Sequence, residues 1–161
     1  MKKEKNKCSS EAESALKELY STLPYYAAYE TFFNQKAGYD GIIKNFQDAK
    51  KHLVDEKTTG LYLMTLVDTL ENISEEIFEH YRNLQLVLKE IVVEVIDTQS
   101  QKDSPMIAYA IMKGVRLNQL SEEYLEFGVK NFENLVHNKP QDIPAFMMAY
   151  SEYLYLKNNL E

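Results

Sequence analysis

The stretch KTTGLYLMTLVDTLE, residues 57–71, decides how the helices of this chain are divided. Thr58-Thr59-Gly60 has the composition of a helix stop followed by a turn, since threonine and glycine are weak helix formers. The apolar residues that follow recur at helical spacing: Leu63, Leu66, Val67, Leu70 and Ile73. No Ser, Thr, Asp or Asn stands just before Leu63, where a helix start favours one. We therefore predict a helix that begins at Leu63 without a side-chain cap.

Length and composition indicate one folded domain. The chain has 161 residues, of which 45% are hydrophobic and 27% charged, with a formal net charge of -7. These values are typical of a globular protein of ordinary domain size. Four lysines lie among the first seven residues, so we predict a disordered basic tail at residues 1–10 and a single helical domain at residues 11–161.

The same features exclude several classes of function. The rest of the chain has no basic stripe, so no nucleic-acid partner is expected. A lone cysteine, Cys8, allows neither a disulfide framework nor a cysteine zinc site within one chain. The start lacks the apolar stretch of a signal sequence, and no apolar run has the length of a membrane span. We expect no membrane association and a cytoplasmic location.

Apolar residues spaced by about 3.6 positions predict an all-α fold with about seven or eight helices. We expect them at residues 11–20, 24–33, 42–53, 63–70 and 74–97, then from 103–105, from 121 and at 145–157. Pro24 is predicted to be the first residue of the second helix, with Ser21 or Thr22 as its cap. The sequence AGYDG, residues 37–41, is predicted to be a turn.

The predicted helices are of two kinds. Three are amphipathic, around residues 42–53, 74–96 and 121–137. Three segments are apolar nearly all round: YYAAYETFF, MIAYAIMKGV and AFMMAYSEYLYL. A helix that is apolar on every side has to be covered on every side, so we predict an inner and an outer layer, as in an α/α toroid or a compact bundle. Residues 106–115 and 145–156 are predicted to be the most buried.

Individual residues give little indication of catalysis. His52, His80 and His137 are far apart and are expected on the surface, so no metal site and no cofactor are predicted. Acidic pairs at helix starts suit the helix dipole. The chain has twelve tyrosines and no tryptophan, so the tyrosines either stack on sugar rings or line the edge of the core. We favour the edge of the core for Tyr25, Tyr26, Tyr29, Tyr150, Tyr153 and Tyr155.

Four stretches together resemble a known family. They are LPYYAAYETFFNQKAGYDGIIKNFQDAKKHLVDEKTTGLY (23–62), LMTLVDTLENISEE (63–76), SPMIAYAIMKGVRLNQLSEEYLEFGVKNFENLV (104–136) and PAFMMAYSEYL (144–154). In this order they resemble the unsaturated rhamnogalacturonyl hydrolases, a glycoside hydrolase family with an (α/α)6 toroid. The resemblance implies a shortened remnant of that toroid.

The resemblance also suggests why the helix at Leu63 lacks a cap. In the family, a loop with His, Trp and Asp residues and a Trp-Gly-Arg-type helix start lie between the equivalents of Tyr62 and Leu63, which are adjacent here. Further family loops are reduced to QSQK (99–102) and HNKPQDIP (137–144). The family uses an Asp to protonate a 4,5-unsaturated uronic acid before water attacks, and no residue of this chain inherits that role. Asp103 and Ser104, at the family's serine-rich helix start, are the predicted substrate-binding residues for an unsaturated uronic-acid oligosaccharide.

Three hypotheses about function follow. The first is a shortened, inactive member of this family, with a degenerate active site and a former role in carbohydrate metabolism. The alternative is a non-catalytic helical module that binds a protein. The third is an active enzyme whose acid is Asp97, Asp103 or Asp142. Because half a ring would leave an apolar flank at each end, we expect either collapse into a bundle or, slightly favoured, a homodimer.

Overall fold

A computed structural model of the chain describes residues 2–98, 103–138 and 141–159, with side chains from Ser9 onward. Within these ranges the protein has seven α-helices, two short 3₁₀ turns (Lys50–His52 and Glu122–Tyr124) and no strand. The helices are α1 (Lys2–Phe32), α2 (Tyr39–Ala49), α3 (Glu56–Asn72), α4 (Phe78–Thr98), α5 (Pro105–Arg116), α6 (Leu125–His137) and α7 (Ile143–Asn159). The prediction of an all-α fold is confirmed.

The helices are arranged in two layers. The odd-numbered helices pack side by side in chain order, α1 on α3, α3 on α5 and α5 on α7. Each even-numbered helix packs on the odd-numbered helix before it, and α2 also contacts α4. The odd-numbered layer curves strongly, because the Tyr20 hydroxyl of α1 lies 3.8 Å from the Met148 sulfur of α7.

The centre of the core is formed by α3 and α5. Every residue from Met106 to Val115 is buried, as the sequence predicted, and so is every residue from Thr58 to Val67. A helix in the middle of a layer has neighbours on both sides and a third helix behind it. It is therefore buried on several sides and needs more apolar residues than one stripe provides. The burial of α3 was not predicted, because its threonines look polar. The hydroxyls of Thr58, Thr59 and Thr65 each donate to a backbone carbonyl three or four residues earlier, as from Thr65 to the Leu61 carbonyl at 2.7 Å.

The prediction that the last helix is fully covered is wrong. In α7 only Ala145, Ala149 and Leu156 are buried. The other side of the helix exposes apolar side chains: Ile143, Met147, Tyr150, Leu154 and Tyr155. Within the described ranges, no helix packs on this outer side of α7.

The prediction of two helices before residue 34 is also wrong, since α1 runs through Pro24 without a break. A proline inside a helix removes one hydrogen bond and costs about 3 kcal/mol. Burial of Leu16, Leu23 and Ala27 along one continuous side, against α3, offsets that cost. Residues 2–10 also belong to α1, and the predicted tail at residues 1–10 stays a prediction.

The start of α3 corrects the interpretation of residues 57–71. Asp55 caps the helix: its carboxylate accepts from the Thr58 backbone N–H at 2.9 Å, while the Thr58 hydroxyl accepts from the Asp55 N–H at 3.0 Å. Such a capping box satisfies two free N–H groups of the first turn. The helix therefore begins at Glu56 with a cap, and the predicted stop at residues 58–60 and uncapped start at Leu63 are wrong.

Gly60 shows why weak helix formers are tolerated there. A Cβ atom at this position would lie 2.8 Å from the Cβ of Met106, so glycine lets α3 and α5 approach closely. The helix therefore has its capped first turns before Leu63. The absence of a cap at Leu63 no longer supports the idea that a segment was deleted there.

The connection from α1 to α2 lies earlier than predicted. The chain turns at residues 33–38, where Gln35 and Lys36 have φ values of 52° and 66°, and Tyr39 already begins α2. The predicted turn at residues 37–41 is therefore mostly helix. Gly38 allows the turn to close, because a Cβ atom there would overlap the Tyr26 hydroxyl and the Glu30 carboxyl group.

The later helix starts agree better with the sequence. Ser104 is the N-cap residue of α5 and Pro105 its first residue, as predicted. Ser121 precedes the 3₁₀ turn that leads into α6, so that α-helix starts four residues after it. Asp142 accepts from the Ala145 N–H at 3.0 Å in the first turn of α7. The QSQK segment at 99–102 lies outside the described residues, as does part of HNKPQDIP, residues 139 and 140.

Candidate functional site

The C-terminal half of α1 exposes a group of aromatic side chains, which we call the aromatic face. Its members and their exposed fractions are Tyr25 (76%), Tyr26 (41%), Tyr29 (53%), Phe32 (74%) and Phe33 (78%). Tyr25, Tyr29 and Phe32 lie on the side of α1 opposite Leu23 and Ala27, which face the core. Tyr26 lies at the edge of that side, and Phe33 directly follows the last residue of α1. Because α1 is the first helix of its layer, no described helix covers this side.

Hydrogen bonds to the Glu30 carboxylate hold one edge of the aromatic face in place. Glu30 lies between members of the face in the sequence, and its side chain is 1% exposed. Its carboxylate accepts hydrogen bonds from the Gly38 N–H at 2.7 Å and from the Asn34 amide at 2.9 Å. Burial alone would raise the pKa of Glu30, but hydrogen bonds from Tyr26, Gly38 and Asn34 outweigh it and lower the pKa. The hydrogen bond to Glu30 in turn raises the pKa of the Tyr26 hydroxyl. The carboxylate therefore ties the turn after α1 to the helix and does not point into the aromatic face.

These tyrosines correct a sequence-based expectation. Of the six predicted to line the edge of the core, only Tyr153 does so, with its ring centroid 4.9 Å from that of Phe132. The fully buried tyrosine rings are Tyr39 and Tyr62. The sequence held a signal for the difference, because residues 25, 29 and 32 share one helix side and residues 16, 23 and 27 share the other.

A second cluster is polar and joins the central helices. Lys113 of α5 donates to the Asp68 carboxylate at 2.7 Å and pairs with Glu71 at 2.7 Å, both on α3. The Tyr109 hydroxyl also donates to Asp68, at 2.8 Å. Burial alone would lower the pKa of Lys113, but the bonds to Asp68 and Glu71 outweigh it and raise the pKa. Burial, followed by the charge of Asp68, raises the pKa of Tyr20 to about 12.

Arg116 and Glu152 extend this cluster from α5 to α7. The guanidinium group makes two hydrogen bonds to the carboxylate, at 2.6 and 3.0 Å, and lies 5.0 Å from the centroid of the Tyr155 ring. The bond to Glu152 raises the pKa of Arg116 further. Each carboxylate of the cluster is bonded to a cation of a neighbouring helix, so the network ties α3, α5 and α7 together. No sequence pattern predicts this network, because the bonds between its helices join residues that are 36 to 45 positions apart in the chain.

Asp103 and Ser104, the predicted substrate-binding residues, have different surroundings. The Asp103 carboxylate accepts from the Asn134 amide at 3.2 Å and lines an open groove of about 460 Å³ between α4 and α6. Lys130 and Asn131 also line this groove. Ser104 is buried, and its N–H donates to the Asn131 side-chain oxygen at 2.9 Å. Asp103 thus remains a candidate for contact with a ligand, whereas Ser104 serves the start of α5.

The histidines and the remaining acids do not form a reactive site in the described ranges. His80 lies 2.8 Å from the Asp40 carboxylate, and His137 is exposed. Asp97 is exposed, and Asp142 caps α7. No three His, Cys, Asp or Glu side chains gather as a metal would require among the residues with described positions. None of the described helices has both the length and the apolar character needed to cross a membrane.

Comparison of the chain with protein-family models, with curated proteins and with solved structures gives no match.

Proposed function

We propose that this chain is a non-catalytic helical module that binds a protein through the aromatic face of α1. The observation that carries the proposal is the exposure of five neighbouring aromatic side chains, four on the C-terminal half of α1 and one, Phe33, directly after it. Soluble monomers rarely expose contiguous apolar patches beyond a few hundred Å², and larger ones mark interaction sites. Tyrosine and other aromatic residues are enriched in the cores of protein interfaces, where charged residues are depleted.

The rest of the molecule supports a scaffold role. The central helices are fixed by the Asp68–Lys113 and Arg116–Glu152 pairs, so α1 is presented on a rigid body. The Glu30 carboxylate holds the turn at residues 33–38 against α1. Little ordering of the backbone is then needed when a partner binds, which keeps the entropic cost of binding low.

A photo-crosslinking side chain placed at residue 29 tests the proposal, with the same group at residue 86 as the control. Leu86 is 51% exposed on α4, away from the aromatic face. We expect a protein adduct at residue 29 in extracts of the source cells, its loss when Phe32→Glu is added, and no adduct at residue 86. Equal adducts at both positions, or an adduct that survives Phe32→Glu, would contradict the proposal.

The second candidate is the family suggested by the resemblance. We propose that the chain could also be a shortened, inactive member of the unsaturated rhamnogalacturonyl hydrolases, with carbohydrate metabolism as the setting of its ancestors. The two helical layers support this candidate, as does Asp103 at an open groove. As part of this second proposal, we also propose that the chain is located in the cytoplasm.

An assay for unsaturated galacturonic acid released from an unsaturated rhamnogalacturonan disaccharide tests this candidate. We expect no turnover. If the groove still binds sugar, we expect the disaccharide to shift the NMR signals of the backbone amides of Asp103 and its neighbours. Turnover that Asp103→Asn abolishes would instead support an active enzyme. A lack of both turnover and signal shifts would leave the interaction module as the better explanation.

A further inference from the structure

We infer that the partner seated on the aromatic face is a second copy of this chain, so that α1 forms the interface of a two-fold homodimer. This inference rests on the proposed function, because it names the partner of the same surface. Three features of the structure lead to it: the size of the face, its lack of charge, and the position of α1 at the end of a layer.

The size of the face suits a folded partner. The exposed parts of its five rings amount to about three whole aromatic side chains. At about 150–250 Å² for each aromatic side chain, this is roughly 500–800 Å². A stable interface of standard size buries about 800 Å² on each partner. The aromatic face alone therefore supplies most of the area that a dimer needs, and its rim supplies the rest.

The chemistry of the face suits self-association. In a two-fold dimer the same patch meets itself, so a charge near the symmetry axis would meet its own copy unless an opposite charge of the same patch pairs with it. The five residues of the aromatic face include no carboxylate or amine, and the neighbouring Glu30 carboxylate is buried and hydrogen-bonded to Gly38 and Asn34. Aromatic rings can pack against identical rings in offset or edge-to-face arrangements. The Tyr29 and Phe33 rings already contact each other within one chain, in a tilted arrangement with centroids 5.9 Å apart.

The position of α1 explains why an intact fold leaves such a face open. The inner odd-numbered helices, α3 and α5, each have a neighbour on both sides, and their apolar residues are buried. On its outer side α1 has no described neighbour, although its C-terminal half carries exposed aromatic residues there. A helix from a second copy would give α1 the missing neighbour.

Light scattering on a size-exclusion column at micromolar concentration tests the inference. We expect wild type at twice the chain mass of 18.8 kDa, and the double variant Tyr29→Glu/Phe32→Glu at 18.8 kDa with an unchanged circular dichroism spectrum. Both residues are more than half exposed, so their substitution should not disturb folding. The matched controls Leu86→Glu and Val136→Glu change residues that are 51% and 57% exposed in the other layer, and they should leave the dimer intact.

Two outcomes would overturn the inference. One is a wild type that stays at 18.8 kDa throughout the micromolar range. The other is a Tyr29→Glu/Phe32→Glu variant that remains dimeric. Dissociation of the dimer by Met147→Glu/Leu154→Glu would then place the interface on α7 instead of α1. Crosslinking at residue 29 separates this failure from a failure of the proposed function. A monomer that still forms an adduct with another protein there keeps the interaction module, whereas a monomer without any adduct refutes both.

Discussion

The capping box of α3 offers the sharpest test of how the chain is divided into helices. In Asp55→Ala the Thr58 N–H loses its acceptor at 2.9 Å, and the Ser9 hydroxyl loses a partner at 2.7 Å. Removal of an N-cap side chain costs about 1 kcal/mol, within a range of about 0.5–2 kcal/mol. For a chain of this size, that loss corresponds to a fall of about 2–4 °C in melting temperature. Asp55→Asn keeps an acceptor oxygen and is the matched control, with a loss of only a few tenths of a kcal/mol.

The same site predicts a dependence of stability on pH. Burial alone would raise the pKa of Asp55, but hydrogen bonds from Ser9 and Thr58 outweigh it and hold the pKa below its ordinary value. A carboxyl group whose pKa is lower in the folded state stabilises fully above its unfolded pKa, which is about 3.9 for Asp. That stabilisation is lost as the pH falls through the folded pKa. The difference between wild type and Asp55→Ala should therefore be largest near neutral pH and shrink below about pH 4.

Urea unfolding followed by circular dichroism measures these differences, and amide hydrogen exchange locates them. In Asp55→Ala we expect faster exchange at Thr58 and Thr59, the first amides that depend on the cap. Wild type itself should protect residues 60–65 strongly, because they lie inside a buried helix. If Asp55→Ala unfolds at the wild-type urea concentration, or if residues 60–65 exchange rapidly in wild type, the helix begins near Leu63 after all.

Four further single substitutions test the packing. Gly38→Ala should destabilise the protein by about 1–3 kcal/mol, because the added methyl group overlaps neighbouring side chains. Gly41→Ala should stabilise it by about 0.5–1 kcal/mol, because Gly41 lies inside α2 with open space around it. The urea midpoints of the two variants should therefore move in opposite directions. Ile111→Ala should cost about 2–5 kcal/mol because the side chain is fully buried in α5, and an unchanged melting temperature would contradict the central position of that helix. Lys113→Met should cost about 3 kcal/mol by leaving the Asp68 carboxylate without its cation, and Lys113→Met/Asp68→Leu should recover much of that loss in calorimetry.

Some predictions from the sequence depended only on local patterns, and these were the accurate ones. Helical spacing of apolar residues identified α5 and the buried positions Leu84, Leu88 and Ile91 of α4. Ser104 before Pro105 marked the start of α5, because cap and proline preferences act within one helical turn.

Other features were decided by contacts between distant segments. Pro24 and Gly60 are signals for helix ends, yet both lie inside helices. Packing of α1 and α3 on their neighbours outweighs local preferences of about 1–3 kcal/mol. Asp55 is a good cap in any sequence, but only the burial of Thr58 and Gly60 made its use favourable over a start at Leu63.

The candidate site shows the same division. The sequence by itself determined that α1 and α7 are apolar on several sides, because that property belongs to each segment alone. Which of those sides lie in the core was decided by the order of helices in the layer, and this order depends on pairs of residues tens of positions apart. Tyr25, Tyr29 and Phe32 are exposed because no described helix packs on that side of α1. Equally apolar residues of α5, such as Tyr109 and Ile111, are buried because that helix has neighbours on both sides.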